Sequence, residues 1–340
     1  MMPRMTAERA PAAPAAQGLT DVLIIGGGPT GLFTAYYAGF RGLSVKILDS
    51  LEELGGQVAA MYPEKFIYDV AGFPKVTGRE LVNRLVEQAD RYKPAVCLGE
   101  KVMLMRREEA DATFTVVTDH AEHRGRAIVV TAGIGMFQPK RLTKFSRFEG
   151  RGLVYFVKRL EPYRGRRVLI IGGGDSAVDW ALNLEPLAAD IALIHRRDQF
   201  RAHEDSVRQL KASSVRIMTP YEIRDIQGEE SVERAVVYHN TTRKEETLEV
   251  DAVVACVGFV ADVGPLAQWG LEMHDHSFAV NTRMETAVPG IYAAGDVTWY
   301  PGKVRLIATD FGEAATAICN AAHYLDPAAS VFPGYSTHLG

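Results

Sequence analysis

The sequence contains little cysteine, no long apolar run and no excess of positive charge. Three cysteines occur in 340 residues (Cys97, Cys256 and Cys319), too few and too widely spaced for a disulfide framework or a zinc site. No stretch approaches the roughly 20 apolar residues that span a bilayer. The formal net charge of −4 argues against nucleic-acid binding. We therefore expect a cytoplasmic protein with no metal site, no membrane and no nucleic acid as partner.

The composition is otherwise that of an ordinary globular chain. It is 47% hydrophobic and 24% charged, with 31 glycines, and its length allows two domain-sized cores. Residues 1–19 are rich in Ala and Pro and lack the apolar core of a secretory signal. We expect a flexible tail there and a folded chain from about residue 20.

One pattern occurs twice. An apolar run at residues 21–25 is followed by the turn GGGPTG at 26–31, a helical stretch to about 41, and a second apolar run that ends at Asp49. Residues 167–171 begin the second copy, with the turn GGGDSA at 172–177 and an apolar run ending at His195. The two copies align without a gap. Each reads as a strand, a glycine-rich turn, a helix and a strand.

Glycines at this spacing are typical of dinucleotide-binding turns. The first (Gly26, Gly172) permits a tight turn, the second (Gly28, Gly174) lets the backbone approach a pyrophosphate, and the third position (Gly31, Ala177) lets the helix pack on the strand. Free N–H groups and the helix dipole then hold the phosphates. Thr30, Asp175 and Ser176 belong to the same turns. The pattern predicts an α/β fold with two Rossmann-like, three-layer dinucleotide-binding domains.

The residues that end the second strands distinguish the two predicted sites. Asp49 can accept hydrogen bonds from ribose hydroxyls and would repel a 2′-phosphate. In the second copy this place holds His195, Arg196 and Arg197, and cations suit a 2′-phosphate. Two different dinucleotides in one chain indicate FAD in the first unit and NADP(H) in the second. A solvated basic strand end is the alternative for the triplet.

Longer stretches carry a family resemblance. Residues 286–296, TAVPGIYAAGD, resemble the strand whose final Gly-Asp lies beside the flavin in flavin disulfide-reductase-like enzymes. From about residue 19 the chain resembles the thioredoxin-reductase-like flavoproteins. It has no Cys-x-x-Cys pair, however, so electrons cannot leave by disulfide exchange. The whole is similar to the thioredoxin-reductase-type ferredoxin–NADP⁺ reductases, on the stretches LGGQVAAMYPEKFIYDVAGFP (54–74), GIGMFQPKRL (133–142), GDVTWYPGKVRLIATDFGEAATA (295–317) and FPGYSTHLG (332–340).

The resemblance implies an NADP(H)-binding domain at 136–259 inserted into an FAD-binding domain at 20–135 and 260–340. It also implies a homodimer in which each C-terminal tail covers the partner's flavin. Tyr62 and Tyr335 would stack on the flavin without acting as covalent nucleophiles, although a loose terminal aromatic is the alternative for Tyr335. The other implied FAD contacts are Asp49, Gln57, Val102, Phe137, Asp296 and Thr337.

The expected activity is electron transfer between NADP(H) and ferredoxin or flavodoxin through FAD. Residues 124–167 carry twelve Lys/Arg and two acidic residues, which is either a solvated face or a dock for an acidic carrier. Two other functions stay open: an NADPH-dependent reductase of disulfides or low-molecular-weight thiols, and a flavin-binding redox sensor without catalysis.

Overall fold

The computed structural model describes residues 18–335 and 337. The first part of the chain forms β1 (Thr20–Ile25), α1 (Pro29–Phe40), β2 (Val45–Asp49), α2 (Gly56–Met61), β3 (Phe66–Ile67), β4 (Val76–Thr77), α3 (Gly78–Asp90), β5 (Ala95–Leu98), β6 (Val102–Glu108), β7 (Thr113–Thr118), β8 (Glu122–Val130) and β9 (Met136–Pro139).

The middle of the chain forms a second set of elements: β10 (Leu153–Val154), β11 (Arg167–Ile171), α4 (Asp175–Leu184), β12 (Asp190–Ile194), α5 (Glu204–Ala212), β13 (Arg216–Met218), β14 (Tyr221–Gln227), β15 (Arg234–His239), β16 (Glu245–Glu249), β17 (Ala252–Ala255) and β18 (Phe259–Asp262). The last part forms β19 (Met273–His274), β20 (Ser277–Ala279), β21 (Ile291–Ala293), β22 (Thr298–Trp299) and α6 (Ile307–Leu325).

Two separate sheets form the centres of the molecule: the first is mixed, with β6, β7 and β8 antiparallel to one another, and the second is parallel. The first has the order β5-β2-β1-β8-β7-β6, with β21 also paired to β8, and the second has the order β10-β17-β11-β12-β13. Strand β21 lies after the second sheet in sequence but belongs to the first sheet, so the middle of the chain is inserted into the first unit. The structure thus confirms the expected α/β class with two Rossmann-like units.

The first sheet is covered on both faces. On one face, α1, α3 and α6 pack over residues such as Val22, Ile24 and Ile47. On the other, side chains of β6, β7, β20 and residues 263–271 enclose Leu23, Ile25 and related side chains. Its central strands are apolar on both faces, as burial on both sides requires. The second sheet likewise separates two apolar clusters.

The two connections between the units pair with each other. Strand β9 lies antiparallel to β18, with Pro139 opposite Phe259 and Met136 opposite Asp262. Both crossings between the units therefore lie side by side in one two-stranded ribbon.

None of the helices in the described ranges has the length and apolar character needed to cross a bilayer.

Candidate functional site

The glycine turn of the first unit is closed at two positions and open at one. A Cβ on Gly26 would lie 2.5 Å from the Thr131 carbonyl oxygen, and one on Gly31 would lie 1.9 Å from the carbonyl oxygen of Gly26. At Gly28, which caps α1, the nearest atom would be the Cα of Gly56 at 3.9 Å. The backbone is thus tightly packed where the turn is made, and it is accessible where a pyrophosphate would approach.

Asp49 lies directly beneath this turn. Its Oδ2 accepts a hydrogen bond from the Gly27 N–H at 2.5 Å, and its Oδ1 accepts one from the Leu51 N–H at 2.8 Å. Burial raises the pKa of Asp49, and the two backbone hydrogen bonds act against that shift. Two of about four acceptor positions are used, so the carboxylate can still accept hydrogen bonds from ribose hydroxyls.

Asp296 follows β21 at the same edge of the sheet. Its Oδ1 is buried and has no partner among the described residues, and burial raises the pKa of its carboxyl group, an effect that Lys303 and Arg305 oppose. A buried acceptor without a donor is costly unless a ligand satisfies it. Gly295 beside it lies against Thr30 of the first turn, where a Cβ would be 3.0 Å from the Thr30 Oγ1.

A buried ionic network supports this edge, and the sequence analysis did not identify it. The Lys303 ammonium donates to Asp310 Oδ1 at 3.0 Å and to Glu313 Oε1 at 2.6 Å. Glu313 Oε2 accepts the Gly295 N–H at 2.8 Å, and Thr30 Oγ1 donates to Asp310 Oδ2 at 3.3 Å. The network therefore ties α6 to both the glycine turn and the end of β21.

Tyr62 ends α2 and lies between the two units. Its ring packs against the core of the second unit, and burial raises the pKa of Tyr62 to about 12, with smaller contributions from Asp296 and Asp69. Lys65 forms an ion pair with Asp179 of α4, and Glu64 Oε2 accepts the Leu160 N–H at 2.6 Å. The segment that carries Tyr62 therefore holds the second unit in its present orientation.

The second turn repeats the packing of the first. A Cβ on Gly172 would lie 2.5 Å from the Cys256 carbonyl oxygen, whereas nothing lies within 4 Å of one on Gly174. Ala177 is fully buried. Asp175 Oδ1 accepts the His203 N–H at 2.8 Å, so this turn also positions the segment that leads into α5.

His195 differs from the expectation of a phosphate contact. Its ring lies under the turn, within 2.4 Å of where a Cβ on Gly173 would be, and it is 6% exposed. Burial lowers its pKa, and the charges of Arg201, Arg196 and Arg197 lower it further against the effect of a hydrogen bond with the Gln199 backbone. A neutral ring closed off by the turn is a support for the backbone, and its Nε2 has no partner in the described part of the chain.

The exposed cations at this edge are Arg196, Arg197 and Arg201. Arg201 was not among the predicted residues, because it lies seven positions beyond Ile194, the last residue of β12. Its N–H donates to the Gly173 carbonyl oxygen at 2.7 Å, which returns the chain to the glycine turn. All three arginines are exposed, and all three are close enough to His195 for their charges to lower its pKa.

The remaining predicted contacts are more dispersed. The Nε2 of Gln57 lies 3.3 Å from where a Cβ on Gly133 would be, and Val102 is buried at the start of β6. Tyr335 is 65% exposed with its ring edge-on to Phe332, and Thr337 is exposed. The Phe137 side chain lies outside the described part. None of the stacking roles is tested by these positions.

The basic stretch is less positive than its composition indicates. Six of its twelve cations form ion pairs: Arg124–Asp111, Arg126–Asp21, Arg141–Glu149, Lys144–Asp225, Arg164–Glu161 and Arg167–Asp251. Four of these acids come from outside the stretch, so a count along the sequence could not include them. The other six are exposed and have no ion pair within the described ranges: Lys140, Arg147, Arg151, Lys158, Arg159 and Arg166.

The residues present fit two dinucleotides. In each unit an open second glycine lies at a helix N-terminus, and in the first unit the buried Oδ1 of Asp296 has no partner among the described residues. The carboxylates Asp49 and Asp296 suit the hydroxyls of a flavin dinucleotide, and the three arginines suit a phosphorylated ribose.

Comparison with known proteins agrees with this geometry. The family model for pyridine nucleotide-disulphide oxidoreductases matches residues 20–318. The chain is 54% identical over 324 residues to the ferredoxin–NADP reductase of Halalkalibacterium halodurans, covering 94% of this chain and 98% of the relative. It is 51% identical over 322 residues to that of Geobacillus kaustophilus, covering 94% and 97%. The solved structure of thioredoxin reductase from T. acidophilum is 26% identical and superposes with a TM-score of 0.79 over 91% of this chain and 99% of that one.

Proposed function

The chain belongs to the pyridine nucleotide-disulphide oxidoreductase family and, within it, to the ferredoxin–NADP reductases, and from this premise we propose that it is an FAD-dependent ferredoxin–NADP⁺ oxidoreductase. The observation that carries the proposal is the pair of matched turns with opposite charge at their strand ends. In this proposal the first unit, residues 20–135 and 260–340, holds FAD. The inserted unit, residues 136–259, binds NADP(H) through Arg196, Arg197 and Arg201.

When bound, FAD supplies the conversion between single-electron and hydride chemistry. The chain's own residues bind the cofactor and orient it. Asp49 fixes the ribose end, Asp296 accepts hydrogen bonds at the other end of the same edge, and the Lys303 network keeps that edge in register with α6. The absence of a Cys-x-x-Cys pair from the sequence leaves direct transfer to an external carrier as the route for electrons.

Access to the site requires movement between the units. Tyr62 is covered by the core of the second unit, and Lys65 and Glu64 hold that unit in place. A nicotinamide must lie close to its electron acceptor for hydride transfer. We infer that the second unit reorients on the β9–β18 ribbon during turnover, so that the Lys65–Asp179 ion pair breaks and forms again in each cycle.

The carrier is an acidic protein, ferredoxin or flavodoxin, that docks at the unpaired cations near the ribbon. The Lys140 N–H donates to the Gly258 carbonyl oxygen, which fixes Lys140 at the ribbon. Lys158 and Arg159 immediately precede Leu160, whose N–H is bound by Glu64 of the first unit. These three cations therefore lie at the junction where Tyr62 is located. Complementary charge chiefly raises the association rate and weakens with salt.

We also propose a homodimer whose tails cross between subunits. Large apolar side chains are exposed in the tail and before α6, namely Val304, Leu306, Val331, Phe332 and Tyr335. The Arg41 guanidinium holds the start of the tail through the carbonyl oxygens of Ser330 and Val331 at 2.7 and 3.0 Å. Sedimentation should give twice the chain mass, and Tyr335→Ser should change the kinetics with NADP(H). A monomer, or unchanged kinetics, would contradict this part of the proposal.

The function is tested under anaerobic conditions. NADPH is added to the purified flavoprotein, and oxidised ferredoxin is then added with cytochrome c as final acceptor. Bleaching followed by ferredoxin-dependent reduction of cytochrome c is the expected result. Bleaching followed by efficient reduction of a disulfide instead would indicate a thiol-disulfide reductase, and a flavin that NADPH does not bleach would indicate a sensor.

The docking surface is tested with the variant Lys158→Gln/Arg159→Gln. At low salt it should need several-fold more ferredoxin for half-maximal turnover, and the difference should vanish at high salt. Arg124→Gln, which removes a cation already paired with Asp111, is the matched control and should behave as wild type. Equal effects of both variants would exclude this location of the dock.

A further inference from the structure

A cluster of three different metal-ligand side chains lies in the first unit, outside the residues of both glycine turns. The Sγ of Cys97, a carboxylate oxygen of Glu100 and a ring nitrogen of His123 all lie within 4.8 Å of one another. Cys97 lies on β5, Glu100 lies in the loop that follows β5, and His123 lies at the start of β8. The chain thus brings together donors that the sequence separates by up to 26 positions.

The cluster is enclosed but accessible from one side. Cys97 is 7% exposed and His123 is 5% exposed, while the Glu100 side chain retains 18%. Cys97 lies among apolar side chains of the first core, including Leu48 and Val102. An ion could therefore enter past the carboxylate and find the thiol and imidazole at the closed end.

The donors are already oriented toward each other. Nε2 of His123 and Oε2 of Glu100 share a hydrogen bond at 2.7 Å. Thr118 Oγ1 donates to the same Glu100 oxygen at 2.9 Å, which fixes the carboxylate as outer hydrogen bonds do around metal ligands. For zinc bonds of about 2.0–2.3 Å, ligand atoms lie roughly 3.3–3.8 Å apart in a tetrahedron. Small side-chain adjustments would lengthen the 2.7 Å distance between His123 Nε2 and Glu100 Oε2. They would also shorten the longest of the three distances between ligand atoms, which is at most 4.8 Å.

We propose that Cys97, Glu100 and His123 form a binding site for a divalent zinc-class cation, with the fourth position open to solvent. A sulfur, a nitrogen and one oxygen favour Zn²⁺ over Mg²⁺ or Ca²⁺, which require oxygen ligands. On binding, the Sγ–metal bond forms as the thiol loses its proton to solvent. The proton held between His123 Nε2 and Glu100 Oε2 also leaves, either to solvent or, through solvent, to Nδ1 of the same ring, and two metal bonds replace that hydrogen bond. No electron is transferred.

The site would act on the nearby dinucleotide-binding edge. The Glu100 N–H donates to the carbonyl oxygen of Asp49 at 2.9 Å, and Val102, the predicted adenine contact, is two residues further on. A cation that links this loop to β8 would therefore stiffen the loop beside Asp49. This regulation does not depend on which carrier the enzyme uses.

The test uses Co²⁺ as a spectroscopic substitute for Zn²⁺ on the FAD-loaded protein. Wild type should bind one Co²⁺ per chain, with the intense visible bands of four-coordinate cobalt at longer wavelength than the flavin absorption, and Zn²⁺ should displace it. Cys97→Ser and His123→Gln should weaken binding by about 100-fold or more and remove those bands.

Matched variants separate the cluster from surface binding. Cys319→Ser removes a half-buried thiol elsewhere, and His120→Gln removes an exposed histidine three residues from His123; both should bind Co²⁺ as wild type does. Glu100→Gln, which keeps an acceptor for Thr118, provides a folded test if a core variant fails to fold, and it should also lose the bands. Wild-type protein without these bands, or bands that persist in Cys97→Ser or Glu100→Gln, would show only adventitious binding and overturn the proposal.

Discussion

The turns at residues 26–31 and 172–177 have the same backbone plan, but different side chains support them. In both, the first glycine packs against a carbonyl oxygen and the second is open. Asp49 holds the first turn with a charged hydrogen bond to the Gly27 N–H, whereas the ring of His195 packs flat under Gly173. In the proposed function, the shared scaffold provides dinucleotide binding, and a few residues at one strand end decide which dinucleotide binds.

The surroundings of the two turns differ as well. Leu54, Gly56, Thr131 and Thr30 with Gly295 enclose the first turn, and the Lys303 network ties it to α6. At the open glycine of the second turn, nothing in the described part of the chain lies within 4 Å of where a Cβ on Gly174 would be. An enclosed site suits a cofactor that stays bound, and an open site suits one that exchanges in every cycle. We therefore expect FAD to be resident and NADP(H) to be a substrate.

The largest expected effect comes from filling the open glycine in each unit. Gly28 and Gly174 both have negative φ, −71° and −99°, so valine can fold at either position while occupying the space of a pyrophosphate. Gly28→Val should be purified almost without flavin. Gly174→Val should keep a full complement of flavin and fail to bleach with NADPH. The flavin-to-protein absorbance ratio and an anaerobic titration measure both, and flavin loss from both variants alike would break the comparison.

The next effect concerns the arginines. Charge-assisted hydrogen bonds contribute about 1.5–3 kcal/mol each, so Arg196→Ser/Arg197→Ser should raise the NADPH concentration for half-maximal flavin reduction by about 100-fold or more. NADH, which has no 2′-phosphate, should be affected little. Stopped-flow reduction with both nucleotides checks this. Parallel losses for NADH and NADPH would mean that the arginines maintain the fold of the strand end and do not read the phosphate.

A smaller effect is expected at the junction between the units. Lys65→Gln removes the partly buried ion pair with Asp179, a change of about 0.5–1 kcal/mol for a pair with this exposure. If reorientation limits flavin reduction, the rate should rise about 2- to 5-fold. Asp179→Asn and the double variant should give the same increase, because all three remove one interaction. Additive effects in the double variant would contradict the idea that Lys65 and Asp179 act through one shared ion pair.

The last effect is a pH dependence of stability that the Lys303 network gives to the first unit. Burial raises the pKa of Asp310 to about 6, with Lys303 opposing and Asp296 and Glu313 adding to the shift. The folded state therefore holds this proton more tightly than the unfolded state. The stabilisation is fully present below about pH 4 and is lost as the pH rises through 6, with a slope of at most about 1.4 kcal/mol per pH unit.

Asp310→Asn should remove that slope from urea unfolding curves measured between pH 4 and 6 at fixed FAD concentration. Asp90→Asn, which changes an exposed carboxylate on α3, is the matched control and should leave the slope as in wild type. An Asp310→Asn slope identical to wild type would exclude Asp310 as the group responsible.

The sequence predicted the parts of the molecule that depend on local spacing. Both turns, the strands that flank them and the place of Asp49 at the end of β2 follow from short-range patterns, because Gly26 and Asp49 are 23 positions apart. The hydrogen bond from the Gly27 N–H to Asp49 was not predicted. The fold class and the insertion of one unit into the other are also confirmed. The predicted roles of Gln57, Val102, Phe137, Tyr335 and Thr337 stay predictions, since they concern contacts with bound groups or a second subunit.

Features that depend on distant residues could not be predicted in this way. His195 shares the alignment position of Asp49, but an imidazole is large enough to fill the space beneath Gly173. Half of the cations in the basic stretch form ion pairs. Most of their partners, such as Asp21 and Asp251, lie outside the stretch in sequence and are brought to it by the fold. Lys303 joins Thr30 and Gly295 through Asp310 and Glu313 across more than 260 positions of sequence, and no local signal marks that convergence.

The central claim is that one chain holds two different dinucleotides in coupled units and distinguishes them by a few residues at a strand end. The most direct measurement is the anaerobic reduction of the bound flavin of wild-type protein by NADPH and by NADH over a range of concentrations. The account predicts full bleaching by NADPH with half-saturation at a concentration at least about 100-fold lower than for NADH. Equal efficiency with the two nucleotides, or a flavin that neither reduces, would contradict it.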